Sequence, residues 1–552
     1  MNKRAAVFGA IFSLGSLLLL GGCGSDSSAP RSQGPVPNPW LAAPHYAITH
    51  FDSSQSDSTP YGPPPGTYQV DPTARPLSPG GPINIMTLAT PHQDYMWGVG
   101  TDHVAYVEAK AGAWRTLAHV DAPAYIAPGL GPIAPETLRA FGEMNPIGMT
   151  STDMHLRLST DFGGNYPARL VNGAYSVVDR DNILYANFGS GVYAFALNDP
   201  ADPSEGIRIV HRIDDSRALQ GENAPASVTI QGITLTYDGY LIVTFRNGVA
   251  VVGRDLDATK SHFVPFGPLE QVTNSVAVDE KNGIYVASDK VMRKLVWTGT
   301  TLSERPEDGA WSSPYDAPED AVPPIVKFGP GTGSTPTLMG FGSDPDKLVV
   351  ITDGAKRMKL VAFWRDEIPE GFVQRPGTAS RRIAGQIDVT CGLPASTPWI
   401  QSEQSVVVSG YGAFVVNNIP ADADAMDIAG AHKILAVSLM GPIYTPSFGV
   451  ERFQWDPDSD AWVSVWRRPD VSSTSMIPIH SQSRHMALVN GYTAERGWEV
   501  TGMNWETGVT VHQTFFGRQN LGNGAYAILE YLENSDLVFN SIVGPFRVSY
   551  GN

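Results

Sequence analysis

Cysteine is scarce in this chain: Cys23 and Cys391 are the two in 552 residues. No Cys-x-x-Cys-His occurs, so covalent c-type haem is not supported. Long apolar runs are scarce too. The stretch from about Ala5 to Leu20 is broken by glycine and serine and is too short for a membrane span, and no other approaches about 18 residues. Cations are outnumbered, 38 against 55 acidic residues, for a formal charge of −17. So acidic a surface repels phosphate backbones and argues against nucleic acid as a partner. Gly-x-Ser-x-Gly and His-Glu-x-x-His are both missing. GPGTGSTP, residues 329–336, lacks the Gly-Lys-Ser/Thr ending of a phosphate loop and reads as a linker entering the next unit.

What is present begins with an address. Lys3 and Arg4 precede the apolar stretch, which ends in Leu20-Gly21-Gly22-Cys23. A basic start, a short apolar core and small residues are the pattern of a signal peptide. The ending resembles the lipobox of bacterial lipoproteins. That resemblance implies cleavage after residue 22, lipid on Cys23 and an extracytoplasmic location on a membrane. Gly24 stands where the family's inner-membrane retention signal would be aspartate, which favours the outer membrane in a Gram-negative cell. Two or more lipid chains anchor stably. Cys391 then has no partner and reads as a small buried hydrophobe.

Residues 23–82 are rich in serine and proline and read as a solvated spacer, with HYAITHF (45–51) apolar enough to dock. From 83 to 552 short β-rich runs alternate with glycine, asparagine and aspartate. Four segments align: DNILYANFGSGVYAFAL, DGYLIVTFRNGVAVVG, NGIYVASDKVMRKLVW and DKLVVITDGAKRMKLVAFW. Their equivalent residues Leu184, Leu241, Ile284 and Leu348 are separated by 57, 43 and 64 residues. Each segment is a hairpin, the middle of a four-stranded antiparallel unit. Weaker units flank them, and the spacing predicts an all-β propeller of seven or eight four-stranded blades. PINIMTL at Pro82 is expected to complete the last blade, and PETLRAFGEM (135–144) to form a short helix.

NSVAVDEKNGIYVASD, from Asn274, resembles blades of the gluconolactonase and strictosidine-synthase-like propellers, and the general blade pattern resembles the quinoprotein alcohol dehydrogenase superfamily. The first resemblance implies calcium on the axis, with Asn274 the one residue that carries over as a ligand. Propellers place functional groups at the channel mouth. The candidates there are His92, Asp94, Asn172, Asn274, Thr335, Gln404, His485 and Asn523. Converging oxygens would suit calcium, whereas His92 and His485 would suit zinc, iron or general-base work. Asp353, Lys356 and Arg357 in TDGAKRMK form a candidate anion-binding turn, with Arg246 at an equivalent turn. The insertions at 121–171 and 303–333, the second carrying Trp311 and Tyr315, would roof a pocket. Two functions follow: a module that binds a small molecule or a protein partner, or a metal-dependent enzyme acting on an ester, lactone or other small substrate.

Overall fold

The computed structural model describes residues 34–550, apart from 79, 82–85, 111, 123–130, 174, 222–223, 328, 427–436 and 438–439. Cys23 and the signal peptide lie outside the described residues. Most sheets take four consecutive strands in chain order and pair them antiparallel. Among the described residues seven sheets reach four strands or more, and an eighth has three. They stand around one axis as propeller blades. Blade 1 starts with the inner strand Met86–Ala89, and the inner strands of the others are Val177–Val178, Ile230–Leu235, Ala277–Val278, Thr337–Met339, Val407–Ser409, Ile479–Ser481 and Leu529–Tyr531.

The four aligned hairpins are the second and third strands of blades 2 to 5. Their continuous apolar runs are explained by packing on both faces. All residues of Leu184–Phe188 and Leu241–Phe245 are buried, because each blade is sandwiched between two neighbours. One apolar cluster joins blades 1 and 2, a second joins 2 and 3, and the series continues around the ring. Each buried aliphatic or aromatic side chain contributes about 1.5–3 kcal/mol.

A repeated carboxylate fixes the turn from inner to second strand. In SVVDRDNILY, Asp179 accepts the N–H groups of Asp181 and Ile183 and the hydroxyl of Tyr185. In AVDEKNGIY, Asp279 accepts from Lys281, Gly283 and Tyr285 in the same way. Asn182 and Asn282 occupy the left-handed position of these turns (φ 61° and 63°), a conformation asparagine tolerates. The blade signature seen at Asn274 is therefore a turn device.

The N-terminal segment corrects the spacer expectation for its described part. Residues 46–59 are buried throughout. They run along the axis and plug the channel, accepting backbone hydrogen bonds from blade after blade. Ala89 donates to Tyr46 O, Val178 to Ala47 O, Val278 to Ser53 O, Leu338 to Ser54 O, Val408 to Ser56 O and His480 to Asp57 O. The chain bends to do this, with Tyr46, His50, Phe51, Gln55 and Asp57 all at positive φ. Ser58–Thr59 then pairs with the inner strand of blade 7, and Gly66–Gln69 with its outermost strand. HYAITHF docks as expected, as the start of this plug.

Ring closure takes a different route from the one expected of PINIMTL. Met86–Ala89 opens blade 1, and Pro82 to Ile85 lie outside the described residues. The last sheet is completed instead by the segment just before: Leu77 bridges Phe546, Ser78 donates to Pro545 O and Gly80 to Val543 O. Joining the two ends of the chain in one sheet covers an edge that would otherwise be open.

The helix expected at 135–144 is present as Pro135–Glu143. A second helix, Ser151–Phe162, was missed. Its capping box, Thr150 with Asp153, is legible in TSTD. Both helices pack Leu138, Phe141, Met154, Leu158 and Phe162 into the core shared with the last two blades.

Candidate functional site

The predicted polar residues separate onto two faces. Asn172, Asn274, Thr335, Gln404 and Asn523 each precede an inner strand, at one end of the channel. His92, Asp94 and His485 lie in turns after an inner strand, at the other end. His92 and His485 are exposed and belong to different blades, so no joint metal or base site forms from them. Their backbones are structural, His92 O accepting from Tyr95 and His485 O from Trp505.

On the first face most of these residues staple neighbouring loops. Asn172 donates to Thr101 O at 2.8 Å and accepts from Gly189 N at 2.7 Å. Gln404 donates to Ser475 O, and Asn523 accepts from Ala525 N. Asn274 and Thr335 do come together. Thr335 Oγ1 donates to Asn274 Oδ1 at 2.8 Å, the same oxygen accepts from Ser275 N, and Asn274 Nδ2 donates to Gly333 O at 2.9 Å. That amide oxygen, the expected calcium ligand, already accepts two hydrogen bonds. Among the described residues no group of three His, Cys, Asp or Glu could hold a metal ion.

The predicted anion-binding turn does not converge. Asp353 is buried and accepts from Ala355 N and Lys359 N, with Lys359 Nζ at 3.3 Å. Its partner is thus Lys359. Lys356 sits over the Trp399 ring, 5.3 Å from its centroid, and Arg357 donates to Thr397 O. Burial holds the Asp353 carboxyl up at about 6. Arg246 is taken by Gln271. Cys391 is fully buried, as expected, and burial raises its thiol well above the ordinary range.

Beside Asn274 and Thr335 the structure assembles groups that the sequence did not single out. Lys327 is 1% exposed and Glu403 6%. Lys327 Nζ donates to Gly331 O at 2.5 Å and Gln401 Oε1 at 3.1 Å. A Cβ at Gly333 would lie 2.8 Å from Lys327 Cε and 3.0 Å from Glu403 Oε2, so the cation and the carboxylate flank one glycine. Gly331 and Gly333 take φ of +81° and +69°, the conformation that favours glycine. GPGTGSTP does enter the next blade, but its glycines also make room for this pair. Tyr315, from the insertion expected to form a roof, accepts from Thr332 N at 3.0 Å and so holds the same loop.

Two tyrosines keep part of their surface exposed here. Tyr175 bonds to the side chains of Asn274 and Thr335 and stacks on His50 of the plug, with ring centroids 5.6 Å apart. Tyr526 donates to Val326 O at 3.0 Å. Burial and, next, the charge of Glu403 push both hydroxyls upward. Burial lowers Lys327 to about 8, against the opposing pull of Glu403 and Asp353. Below this level the plug contributes a dyad, His50 Nδ1 to Asp57 Oδ1 at 2.8 Å, and burial raises Asp57 to about 6. The result is a polar cluster at one end of the channel, next to the plug, with one buried cation and one buried anion near two phenols.

No family model matches the sequence. An uncharacterized protein of Archaeoglobus fulgidus is 31% identical over 374 residues, covering 65% of this chain and 66% of that protein. The chain therefore spans just under two thirds of that relative's length. Among solved structures, the quinohemoprotein alcohol dehydrogenase from Comamonas testosteroni is similar at a TM-score of 0.45 and 10% identity, over 93% of this chain and 78% of that one. BamB from Moraxella catarrhalis is similar at 0.35 and 10%, over 66% and 94%.

Proposed function

We propose that this chain is a membrane-tethered, extracytoplasmic propeller, anchored through lipid on Cys23, whose polar cluster around Lys327 and Glu403 binds a small polar molecule. The observation that carries the binding reading is the burial of Lys327 and Glu403 on either side of Gly333, close to the partly exposed Tyr175 and Tyr526. Burying two opposite charges is costly, and a perturbed ionisable group beside polar side chains marks a candidate site. The ligand that fits has hydrogen-bonding groups on several sides: a carboxylate or hydroxyl for Lys327, and donors for Glu403.

One observation favours a second reading, catalysis. Held at about 8, Lys327 is partly unprotonated near neutral pH, as a base or a nucleophile toward an ester, lactone or carbonyl must be.

The test uses the mature protein from a membrane fraction. Mass spectrometry of its first peptide is expected to read a lipid-modified Cys23, and an unmodified start elsewhere would remove the anchor. Ligand-observed NMR with a panel of amino acids, hydroxy acids and polyols is expected to detect at least one class, with binding weakened tenfold or more in Lys327→Met. Silence across the panel, or binding indifferent to that change in a folded variant, would sink this cluster as the site.

A further inference from the structure

The seam between blades 6 and 7 changes character along its length. In the blade 7 strand Gly497–Asn504, successive side chains alternate between the two faces. Trp498 and Val500 enter the core shared with the last sheet, whereas Met503 joins Ala487 and Val489 in the apolar seam with blade 6. Glu499 and Thr501 share the Met503 face, yet they carry polar groups where the seam would otherwise be sealed. A cavity of about 240 Å³ opens there. Glu499, Thr501, Arg496 and Gln513 line it from blade 7, and Arg468 and Asp470 from Ala461–Ser472, the outermost strand of blade 6. Gly491 pairs with Glu499, and a Cβ on it would collide with Ser472 O, so the two blades touch directly beside the cavity.

Glu499 lines this cavity although its side chain is 7% exposed. Its Oε1 accepts from Thr501 Oγ1 at 3.0 Å. Among the described residues Oε2 has no hydrogen-bond partner, and it is not sealed from solvent, so it opens on the cavity. Burial raises the Glu499 carboxyl above its usual range, against the opposing pull of Thr501 and Arg496. Arg496 lies over the Phe515 ring, 4.5 Å from its centroid, and its guanidinium forms no ion pair among the described residues. The half-buried Gln513 amide is likewise without a partner among them.

Charge around the cavity balances. Arg468 and Asp470 pair at 2.7 Å, and Arg468 also donates to Thr510 Oγ1 at 3.1 Å. Arg496 and the adjoining Arg518, which donates to the carbonyls of Ala494 and Glu495, stand against Glu495 and Glu499.

From this lining we infer a second binding site, for a neutral polyhydroxy compound of one ring, a monosaccharide unit. A hydroxyl donates and accepts at once. Glu499 Oε2 would accept from one, while the Gln513 amide and the forked guanidinium of Arg496 would serve its neighbours. Val471 and the methyl groups of Thr501 and Thr510 offer an apolar side to the ring carbons. The volume falls below the roughly 300 Å³ at which pockets for drug-sized ligands begin, which suits one ring. Built on outer strands, the site is separate from the cluster at Lys327.

Ligand-observed NMR on the full chain with the methyl glycosides of glucose, galactose, mannose and N-acetylglucosamine tests the inference. At least one is expected to bind with a Kd of about 1 mM or lower. Gln513→Ala and Glu499→Ala are each expected to weaken it about tenfold with melting unchanged within a few degrees, and Lys327→Met to leave it unchanged. A linear tetramer of the same sugar binding at least tenfold more tightly would assign the natural ligand to a polymer chain, and equal affinity to a free sugar. The inference is overturned by silence of all four glycosides, by binding indifferent to Gln513→Ala and Glu499→Ala in folded protein, by loss of binding in Lys327→Met, or by a tenfold preference for the corresponding uronate or amino sugar.

Discussion

The Phe51→Ala variant is expected to lose about 3–5 kcal/mol of stability, the range for truncating a fully buried phenylalanine. Phe51 is 0% exposed and meets Tyr46 edge to face at 4.7 Å between ring centroids. It belongs to the same apolar cluster as Ile479 and Leu529, inner-strand residues of the last two blades. The lost side chain leaves a void on the axis, where inner strands already bonded to the plug have little freedom to close in. The reading is the denaturant midpoint at unchanged slope. Val373→Ala, at a side chain 77% exposed, is the comparison and should change little. If Phe51→Ala unfolds outright, Phe51→Leu should show a smaller loss of the same sign. A loss in Phe51→Ala no larger than that of Val373→Ala would mean that the N-terminal segment is not part of the core.

The second large effect concerns Glu403. Lys327 titrates at about 8 in the folded protein, below the ordinary 10.5. A depressed lysine favours the native state above its unfolded value, and that contribution is lost as pH falls through 8. At pH 7 the native state therefore carries a buried ammonium group whose charge Glu403 compensates. Glu403→Ala removes that compensation and is expected to cost about 3 kcal/mol at pH 7. The deficit should narrow between pH 7 and 10 as Lys327 loses its proton in the variant and the wild type alike. Equilibrium unfolding at several pH values reads this directly. A deficit independent of pH would assign Glu403 a packing role alone. Asp353 and Asp57 act in the other direction: their folded values near 6 stabilise at low pH and lose that contribution as pH rises through 6.

The repeat was legible in the sequence because blades 2 to 5 write their second and third strands as β-rich runs around a two- to six-residue turn. Closure was legible as a need, though the segment was misplaced. PINIMTL has strand chemistry, whereas the bridge that completes the last sheet comes from Leu77 and Ser78 amid prolines and glycines. The plug was illegible for a physical reason. Serine and aspartate ordinarily mark solvated loops, yet in HFDSSQSDST they find partners: Asp52 accepts from Ser54 and Ser56, Asp57 pairs with His50, and backbone carbonyls go to the blades.

The candidate site was half legible. Reasoning from strand starts placed Asn274 and Thr335 at the channel, and the two do meet. Lys327 and Glu403 lie far apart in the sequence in unremarkable contexts. Only the two left-handed glycines of GPGTGSTP mark the place where they converge. His92 and His485 failed as a pair because the ring places their turns in blades 1 and 7, on the exposed side.

The most direct test of the plugged axis is hydrogen exchange, read by mass spectrometry on peptides spanning 46–59 and the inner strands at Val278, Leu338, Val408 and His480. The plugged channel predicts that the plug peptides and these strand amides, which donate to the plug, exchange slowly and together, opening only in global unfolding. Exchange of residues 46–59 within seconds in the native protein, with the inner strands still protected, would contradict it.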